Sequence, residues 1–323
     1  MSEENVITLK SKVPREYDGK SLLDYLSGRY AYKSRESWNA EIRGGKVMLN
    51  GKNPRPEYKV SKGDVTSFTT LHNEPWVNKD VKVIWEDEFL LFVNKPAPIP
   101  CHADGAFIKN TLIHVLRTMR KSEELYLGHR LDRETSGVCV LSKSSVMLSA
   151  LMPLFERGQV DKRYLAVSRG EAARDEFEVS GGMAADKASE ISIRFKLFPS
   201  GTPDTKESRT QFKVLKRLKG YTLIECHPLT GRTNQIRVHL DSAGLPLAGD
   251  KLYGRSDREF LDFLDFVKKG GDSRFDGRYE CERHMLHASS LAFKHPVTEQ
   301  NLKIEAEMPD DMQKFLATLP SLS

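Results

Sequence analysis

The chain has 323 residues, of which 39% are hydrophobic and 29% are charged, so it is long enough for one large domain and a smaller one. No run of about eighteen apolar residues occurs, which excludes a transmembrane helix. The four cysteines are too widely spaced for a zinc site or a disulfide framework, and the first residues do not resemble a signal peptide, so we expect a cytoplasmic protein.

Positive charge is concentrated at the N-terminal end of the chain. Residues 1–70 carry 13 Lys and Arg against 9 Asp and Glu, whereas the rest of the chain carries 37 against 36. Phosphate contacts dominate the affinity of proteins for nucleic acids. The distribution therefore favours a polyanionic partner for a small N-terminal domain, with an ordinary solvated surface as the alternative.

Residues 1–75 are predicted to form a small α+β domain. Apolar residues recur at helical spacing over residues 21–30, and Ser34 is placed to cap a second helix over residues 35–43. A short strand over residues 47–49 follows, and it ends at an Asn-Gly pair typical of hairpin turns.

This order of helix, helix and strand resembles the S4-like RNA-binding domains. The positions that carry the resemblance are Ile42, Gly44, Val47, Asn50, Gly51, Gly63 and Asp64. The resemblance implies a basic RNA-binding face made of Arg29, Lys33, Arg35 and Arg43. A polar linker that contains Pro75 would then lead into a second domain, residues 76–323.

The second domain begins with residues typical of two strands, at 81–85 and 89–93. Lys95 follows the second of them, and the sequence leaves its role open. Asn110 is placed to cap a helix over residues 111–120, whose apolar residues recur at helical spacing.

Further elements alternate along the chain after residue 140. Ser144 is placed to cap a helix that ends near residue 158, and a strand is expected over residues 162–167. Residues 171–205 are polar and give no confident boundaries. Two strands that flank a Lys-Gly turn at residues 219–220 are then expected to pair as a hairpin.

The stretch 129–137, His-Arg-Leu-Asp-Arg-Glu-Thr-Ser-Gly, precedes a short apolar run typical of a buried strand. It places Asp132 among three basic residues, His129, Arg130 and Arg133. A nearby positive charge favours the ionised carboxylate, and a positioned carboxylate can act as a nucleophile or a base. The alternative is a surface cluster of charges that fixes a turn.

A second polar stretch, residues 229–240, contains Gly231 in a turn signal and apolar residues that fit a strand or a helix edge. Its two arginines, Arg232 and Arg237, cannot be ranked by spacing alone. Residues 255–283 contain a short amphipathic helix pattern that ends at a Gly-Gly pair, and we interpret this segment as an insertion.

The stretch 129–137 resembles the central motif of the RluA-type pseudouridine synthases, in which His-Arg-Leu-Asp and two variable residues precede Thr-Ser-Gly. Three further blocks resemble the same family, in the same order. The resemblance implies that Asp132 is the catalytic aspartate, that Tyr164 stacks on the target uracil, and that Arg237 pairs with Asp132. Arg232 is the weaker candidate for that partner.

The resemblance also implies RNA contacts by Arg130, Arg232 and Asn234. Asn234 departs from the family, which usually has His at this position, and an amide can donate and accept hydrogen bonds but cannot titrate. The implied fold is α+β, with a mixed, mostly antiparallel central sheet, a catalytic cleft and flanking helices. The implied reaction isomerises specific uridines of structured RNA, with ribosomal RNA favoured over transfer RNA.

This reaction requires no cofactor and no metal, and we expect a monomer without membrane contacts. A glycosidase-type hydrolase is the alternative enzyme class, because Glu134 lies close to Asp132 in the sequence. A non-catalytic RNA-binding protein is the alternative outside catalysis. A metal site at His287 and His295 is disfavoured, since no acid or cysteine lies at ligand spacing beside them.

Overall fold

The structure is a computed structural model that describes residues 6–30, 33–71, 74–269 and 277–321. The chain divides into two compact units, Met1–Glu74 and Pro75–Ser323. No helix among the described residues is long and apolar enough to cross a membrane.

The N-terminal unit combines three strands with two helices. The strands are β1 (Val6–Lys12), β2 (Val47–Leu49) and β3 (Val65–Leu71), and the helices are α1 (Leu22–Arg29) and α2 (Arg35–Arg43). The sheet is antiparallel in the order β1-β3-β2. Ser21 and Ser34 cap the two helices, because each hydroxyl accepts a backbone N–H of the first turn.

The C-terminal unit is built on one sheet of eleven strands. The strands are β4 (Lys82–Glu86), β5 (Leu90–Lys95), β6 (Tyr126–Leu127), β7 (Ser136–Ser142), β8 (Asp161–Arg169), β9 (Glu176–Ala185), β10 (Phe195–Phe198), β11 (Lys206–Leu218), β12 (Tyr221–Pro228), β13 (Leu286–Lys294) and β14 (Asn301–Glu305). Their order is β10-β9-β11-β12-β8-β13-β7-β5-β4, with β14 beside β13 and β6 beside β7. The pairing of β13 with β7 is parallel and the others are antiparallel, which confirms a mixed, mostly antiparallel sheet.

Helices flank this sheet. They are α3 (Leu112–Arg120), α4 (Ser145–Glu156), α5 (Gln235–Ser242), α6 (Asp257–Lys268) and α7 (Asp310–Thr318). Ser144 caps α4 as expected. The predicted N-cap of α3, Asn110, was one residue too early. Thr111 accepts the N–H of His114, and Asn110 instead donates its side-chain amide to the carbonyl of Pro75.

The structure defines two polar segments that the sequence left open. Residues 171–205, where strands and loops were expected without boundaries, contain β9 and β10 at one edge of the sheet. The apolar residues of 236–240, which fitted a strand or a helix edge, belong to a helix, α5. The amphipathic helix expected within residues 255–283 is α6, while its expected Gly-Gly end lies outside the described residues.

The centre of the sheet is buried on both faces, which fixes the position of the segment before β7. Alternate residues of β5 and β7 face α3 on one side and α4 on the other. On the first side Leu91 and Cys139 pack near Leu112, and on the second Leu90 and Val140 pack near Leu151. Because successive side chains of a strand point to opposite faces, a register shift of one residue would disrupt both cores.

Candidate active site

The turn that carries Asp132 is held by strand β13 and by His284 just before it, about 150 residues further along the chain. The Thr135 hydroxyl lies 2.8 Å from His284 Nε2, and the Ser136 hydroxyl lies 2.9 Å from His287 Nδ1. Gly137 has a φ of +113°, and a Cβ there would lie 2.1 Å from the carbonyl oxygen of Ala288. The Thr-Ser-Gly sequence is therefore explained by the close parallel pairing of β7 with β13.

Two buried cations, Lys95 and Arg283, donate hydrogen bonds to backbone carbonyls of the same turn. Lys95 is fully buried, and its Nζ donates to the carbonyls of Ile99 at 2.8 Å and Arg133 at 3.2 Å. Burial lowers the pKa of Lys95 to about 8. Arg283 donates to the carbonyl of Glu134 at 3.0 Å. The role that the sequence left open for Lys95 is therefore a structural one: its donors satisfy carbonyls that would otherwise be buried without partners.

The charges that neighbour Asp132 in the sequence have other partners in space. Arg133 Nη2 lies 2.8 Å from Glu134, and Lys251 Nζ lies 3.1 Å from both oxygens of the same carboxylate. Burial raises the pKa of Glu134, but Lys251 and then Arg133 outweigh this effect and hold it at about 2. His129 accepts the N–H of Val140, and burial lowers its pKa to about 4. Arg133 and His129 thus do not supply the counter-charge that the sequence suggested.

The cation beside Asp132 is Arg237, which is presented by α5. Its Nη1 lies 3.2 Å from Asp132 Oδ2. Its Nε and Nη2 donate to both oxygens of Asp250, at 2.7 and 2.9 Å, and this carboxylate is fully buried. The guanidinium carbon also lies 4.9 Å from the ring centre of Tyr253. Arg237 is therefore fixed by a bidentate pair and an aromatic face, and its remaining amine is directed at Asp132.

The charges of this network reinforce each other. Burial would raise the pKa of Asp250, yet the Arg237 guanidinium outweighs it and holds the pKa well below its usual range. Burial likewise opposes the charge of Arg237, but Asp250 and Asp132 raise its pKa above the usual value. Asn234 Oδ1 accepts a hydrogen bond from Arg237 Nη1 at 3.1 Å, and Asn234 Nδ2 donates one to the Tyr253 hydroxyl at 3.2 Å. Asn234 thus positions the guanidinium by hydrogen bonds alone.

Asp132 and Tyr164 share one cleft. The cleft has a volume of about 420 Å³, and its lining includes Arg130, Asp132, Tyr164, Arg232 and Arg237. This volume lies in the range of about 300–1,000 Å³ that is typical of small-ligand sites. Tyr164 packs between two core clusters, and burial, with the charge of Asp132 next, raises the pKa of its phenol above the usual value. The phenol is therefore protonated near neutral pH.

The two remaining arginines of the cleft differ in their contacts. Arg130 is exposed at the cleft. Arg232 is also exposed, and its Nε donates to the carbonyl of Glu207 at 2.9 Å. The structure therefore places Arg237, and not Arg232, next to Asp132.

The four cations expected on the N-terminal unit differ in how far they are engaged by acids. Ion pairs join Lys33 to Glu41 at 2.8 Å, Arg35 to Asp24 at 2.6 Å, and Arg43 to Glu57 at 3.3 Å. Lys33 is only 21% exposed and also lies over the rings of Trp38 and Phe68, whereas Arg35 and Arg43 are 53% and 63% exposed. Arg29 lies over the ring of Tyr30. Lys33 is therefore the least available of the four to a ligand.

Sequence reasoning assigned no role to four residues that build this site: Asp250, Lys251, Arg283 and His284. Arg283 and His284 lie just before β13, and Asp250 and Lys251 lie in a polar stretch far along the chain from the central motif. The signal that could have found them is the presence of charged residues beside apolar ones, as in Gly249–Asp250 and in Arg283–His284 before Met285. No group of three or more potential metal ligands occurs among the residues that the structure describes.

Comparison with known proteins identifies the class that this fold and this site define. The family model described as RNA pseudouridylate synthase matches residues 89–242, a range that contains Asp132, Tyr164 and Arg237. The human RNA pseudouridylate synthase domain containing 4 has the same fold, with a TM-score of 0.57 and 24% identity over 73% of this chain and 92% of that one.

Curated relatives extend the similarity to most of the chain. Ribosomal large subunit pseudouridine synthase C of Vibrio vulnificus (strain CMCP6) is 32% identical over 292 residues, which cover 86% of each protein. YlyB of Bacillus subtilis (strain 168), an uncharacterized RNA pseudouridine synthase, is 30% identical over 86% of this chain and 87% of its own length. The chain belongs to the RNA pseudouridylate synthase family, in its RluA-type branch. It is an isomerase that acts on RNA, and neither the glycosidase nor the non-catalytic alternative is favoured.

Proposed function

We propose that this enzyme modifies specific uridines of structured RNA, with ribosomal RNA as the favoured substrate, and that Asp132 is its catalytic residue. The observation that carries this assignment is the Asp132 carboxylate at the cleft, 3.2 Å from an arginine that a second, buried carboxylate holds in place. The ribosomal substrate is supported by relatives whose names include the ribosomal large subunit. Such a substrate would place the protein in the cytoplasm, where it would act as a monomer.

The reaction breaks the N1–C1′ bond of uridine, turns the uracil, and forms a bond from C1′ to C5. The proton lost from C5 is matched by one gained at N1, so no atom leaves and no oxidant or reductant is required. Asp132 would either attack C1′ or remove the proton at C2′, and a carboxylate is competent for both. Arg237 orients this carboxylate in either case, because its Nη1 lies 3.2 Å from Oδ2 of Asp132.

The remaining cleft residues fit the binding of an extruded base. A base inside a helix is out of reach of the carboxylate and must be flipped out, at a cost of a few kcal/mol. We assign Tyr164 to stack on the uracil, which offsets part of this cost by about 1–3 kcal/mol. Arg130 is exposed at the cleft and would fill the vacated space in the RNA. Arg232 and Asn234 would complete the RNA contacts, the latter through the position of Arg237.

The N-terminal unit is assigned to substrate affinity, as an S4-like RNA-binding domain over residues 1–75. Its exposed Arg29, Arg35 and Arg43 are available to phosphates, because surface ion pairs of this kind are weak and exchange easily. Every group assigned to the chemistry lies in the C-terminal unit.

The test of this proposal is the variant Asp132→Asn. The substitution keeps the shape of the side chain and removes the carboxylate, so we expect pseudouridine formation to fall below detection while RNA affinity stays within a few fold. Ribosomal RNA from a strain that lacks the gene is incubated with enzyme, and a pseudouridine-specific reagent is read out by reverse-transcription stops. Asp204→Asn is the matched control, since Asp204 is exposed in the turn before β11. Full activity of the Asp132 variant, without wild-type contamination, would overturn the assignment.

A further inference from the structure

Lys162 of β8 is a cation almost enclosed by protein, yet it forms no ion pair with a carboxylate among the described residues. It is 9% exposed, and its Nζ donates to the carbonyl of Thr230 at 3.0 Å. Lys251, by comparison, lies 3.1 Å from both oxygens of Glu134, and Lys95 donates to three carbonyls. An ammonium group has three donors. In the described part of the chain, Lys162 has one protein acceptor and no ion pair.

The unused donors of Lys162 lie at the cleft. Lys162 belongs to the lining of the cleft, together with Gly231 and Arg232. A Cβ on residue 231 would lie 3.8 Å from Lys162 Nζ, and the φ of Gly231 lies outside the left-handed region. The backbone therefore does not require glycine at this position, and the missing side chain leaves space beside the ammonium group.

The charge balance at this part of the cleft is positive. Asp132 and Asp250 are already paired with Arg237, so these carboxylates do not neutralise Lys162. Burial, and next the charge of Arg232, lower the pKa of Lys162, against the smaller opposite effect of Asp161. A buried charge without a partner is costly. A bound anion that accepted hydrogen bonds from Lys162 and Arg232 would offset both the desolvation cost of the buried Lys162 and the repulsion between the two cations.

We propose that Lys162 and Arg232 form a subsite for one phosphodiester of the RNA strand, next to the nucleotide whose base stacks on Tyr164. The inference rests on the proposed function, because it uses Tyr164 as the base platform. Residues 162 and 164 are two apart on the same strand and point to the same face, about 6–7 Å from each other. Phosphate oxygens accept charge-assisted hydrogen bonds from ammonium and guanidinium groups, and such contacts fix the register of a strand without reading its sequence.

The experiment measures the binding of a fluorescein-labelled deca-uridylate to the full chain over a range of salt concentrations. Lys162→Met should weaken binding about tenfold, as expected for a lost hydrogen bond to a charged group. It should also lower the slope of log K against log salt by about 0.7, the value for one phosphate contact with a single strand. The melting temperature should not fall, since the variant removes a buried cation that has no counter-charge.

Two further variants separate binding from structure. Lys219→Met is the matched control: it removes the same charge from an exposed lysine in the β11–β12 turn, at the opposite end of β12 from the cleft-lining Pro228, and should change neither quantity. Gly231→Ala keeps all charges but places a methyl group beside the ammonium, so it should weaken binding at an unchanged melting temperature.

The outcomes distinguish this subsite from a structural lysine and from a failed function. An unchanged salt slope with a lower melting temperature in Lys162→Met would show that the lysine only holds Thr230, and would overturn the subsite. Pseudouridine formation by the wild-type enzyme on ribosomal RNA tests the proposed function separately. A wild-type enzyme that is active, with a Lys162→Met slope equal to that of the control, would overturn the subsite alone. A Lys162-dependent slope in an inactive wild-type protein would instead overturn the proposed function.

Discussion

Replacing Arg237 by Met should destabilise the fold as well as abolish activity, because Arg237 is bonded to two carboxylates. Asp250 is fully buried and accepts both Nε and Nη2 of the guanidinium. Breaking a buried pair by removing one partner costs about 3–5 kcal/mol. The N–H groups of Leu252 and Tyr253, at 2.8 and 2.9 Å, still donate to Asp250 and favour the lower part of this range.

The cost should depend on pH in a defined direction. In the wild type the pKa of Asp250 is held below its usual value of 3.8, so its contribution is present above that value and is lost as pH falls. In Arg237→Met the guanidinium no longer opposes burial, which raises the pKa of Asp250 against the two remaining N–H donors, so the variant loses stability as pH rises above 3.8. The wild type should therefore already be the more stable protein near pH 4. The difference in unfolding free energy should grow from there toward pH 7, by up to about 1.4 kcal/mol per pH unit, and should shrink as pH falls below 3.8.

The double variant Arg237→Met/Asp250→Asn provides the control. It removes both charges, so we expect unfolding in urea to show recovery of stability at pH 7 to within about 1–2 kcal/mol of the wild type. Activity should not recover, because Asp132 still lacks its cation. A single variant as stable as the wild type at pH 7, or a double variant no better than the single one, would refute the energetic coupling. Retained pseudouridine formation in Arg237→Met would refute its role beside Asp132.

Three further outcomes follow from the geometry. Gly137→Ala should lower the unfolding free energy in urea by about 2–6 kcal/mol, because the new Cβ is forced against Ala288 and the positive φ is strained. Gly220→Ala, with open space around it and a φ of +76°, should cost only about 1–2 kcal/mol. Equal costs would contradict the close approach of β13. Glu134→Gln should lower the unfolding free energy by about 3 kcal/mol at pH 7 and by less at pH 3, because the pKa of Glu134 is about 2 against a usual 4.5; a pH-independent loss would argue against the pair with Lys251. A chain that starts at residue 76 should still form pseudouridine at high RNA concentration. The slope of its log K for RNA against log salt should be smaller by about 2–3. An unchanged slope would exclude phosphate contacts by Arg29, Arg35 and Arg43.

Local signals in the sequence predicted the local structure well. Helix α2 begins after Ser34 and ends before Gly44, as the cap and the glycine indicate. The hairpin of β11 and β12 forms around Lys219 and Gly220, as the turn chemistry indicates. These features depend on interactions within a few residues, which a sequence pattern records directly.

The surroundings of Asp132 could not be obtained in the same way, because they depend on distant contacts. Sequence neighbours suggested His129 and Arg133 as the counter-charges, but burial keeps His129 neutral and Glu134 engages Arg133. The cation beside Asp132 was expected from the family resemblance alone, and no role could be assigned from the sequence to Asp250, which holds that cation. Strands β9 and β10 could not be given bounds either, since residues 171–205 carry little of the apolar alternation that identifies a strand.

The dependence of the Asp132 turn on β13 has a consequence for the timing of synthesis. Thr135 and Ser136 find their histidine partners 149 and 151 residues later in the chain. At about 5–20 residues per second, a ribosome needs roughly 8–30 seconds to make that intervening segment. Throughout this interval the nascent chain carries the complete central motif without the strand that shapes it. During synthesis, the Asp132 turn can therefore take its folded shape only after the ribosome has made the segment that contains His284 and His287.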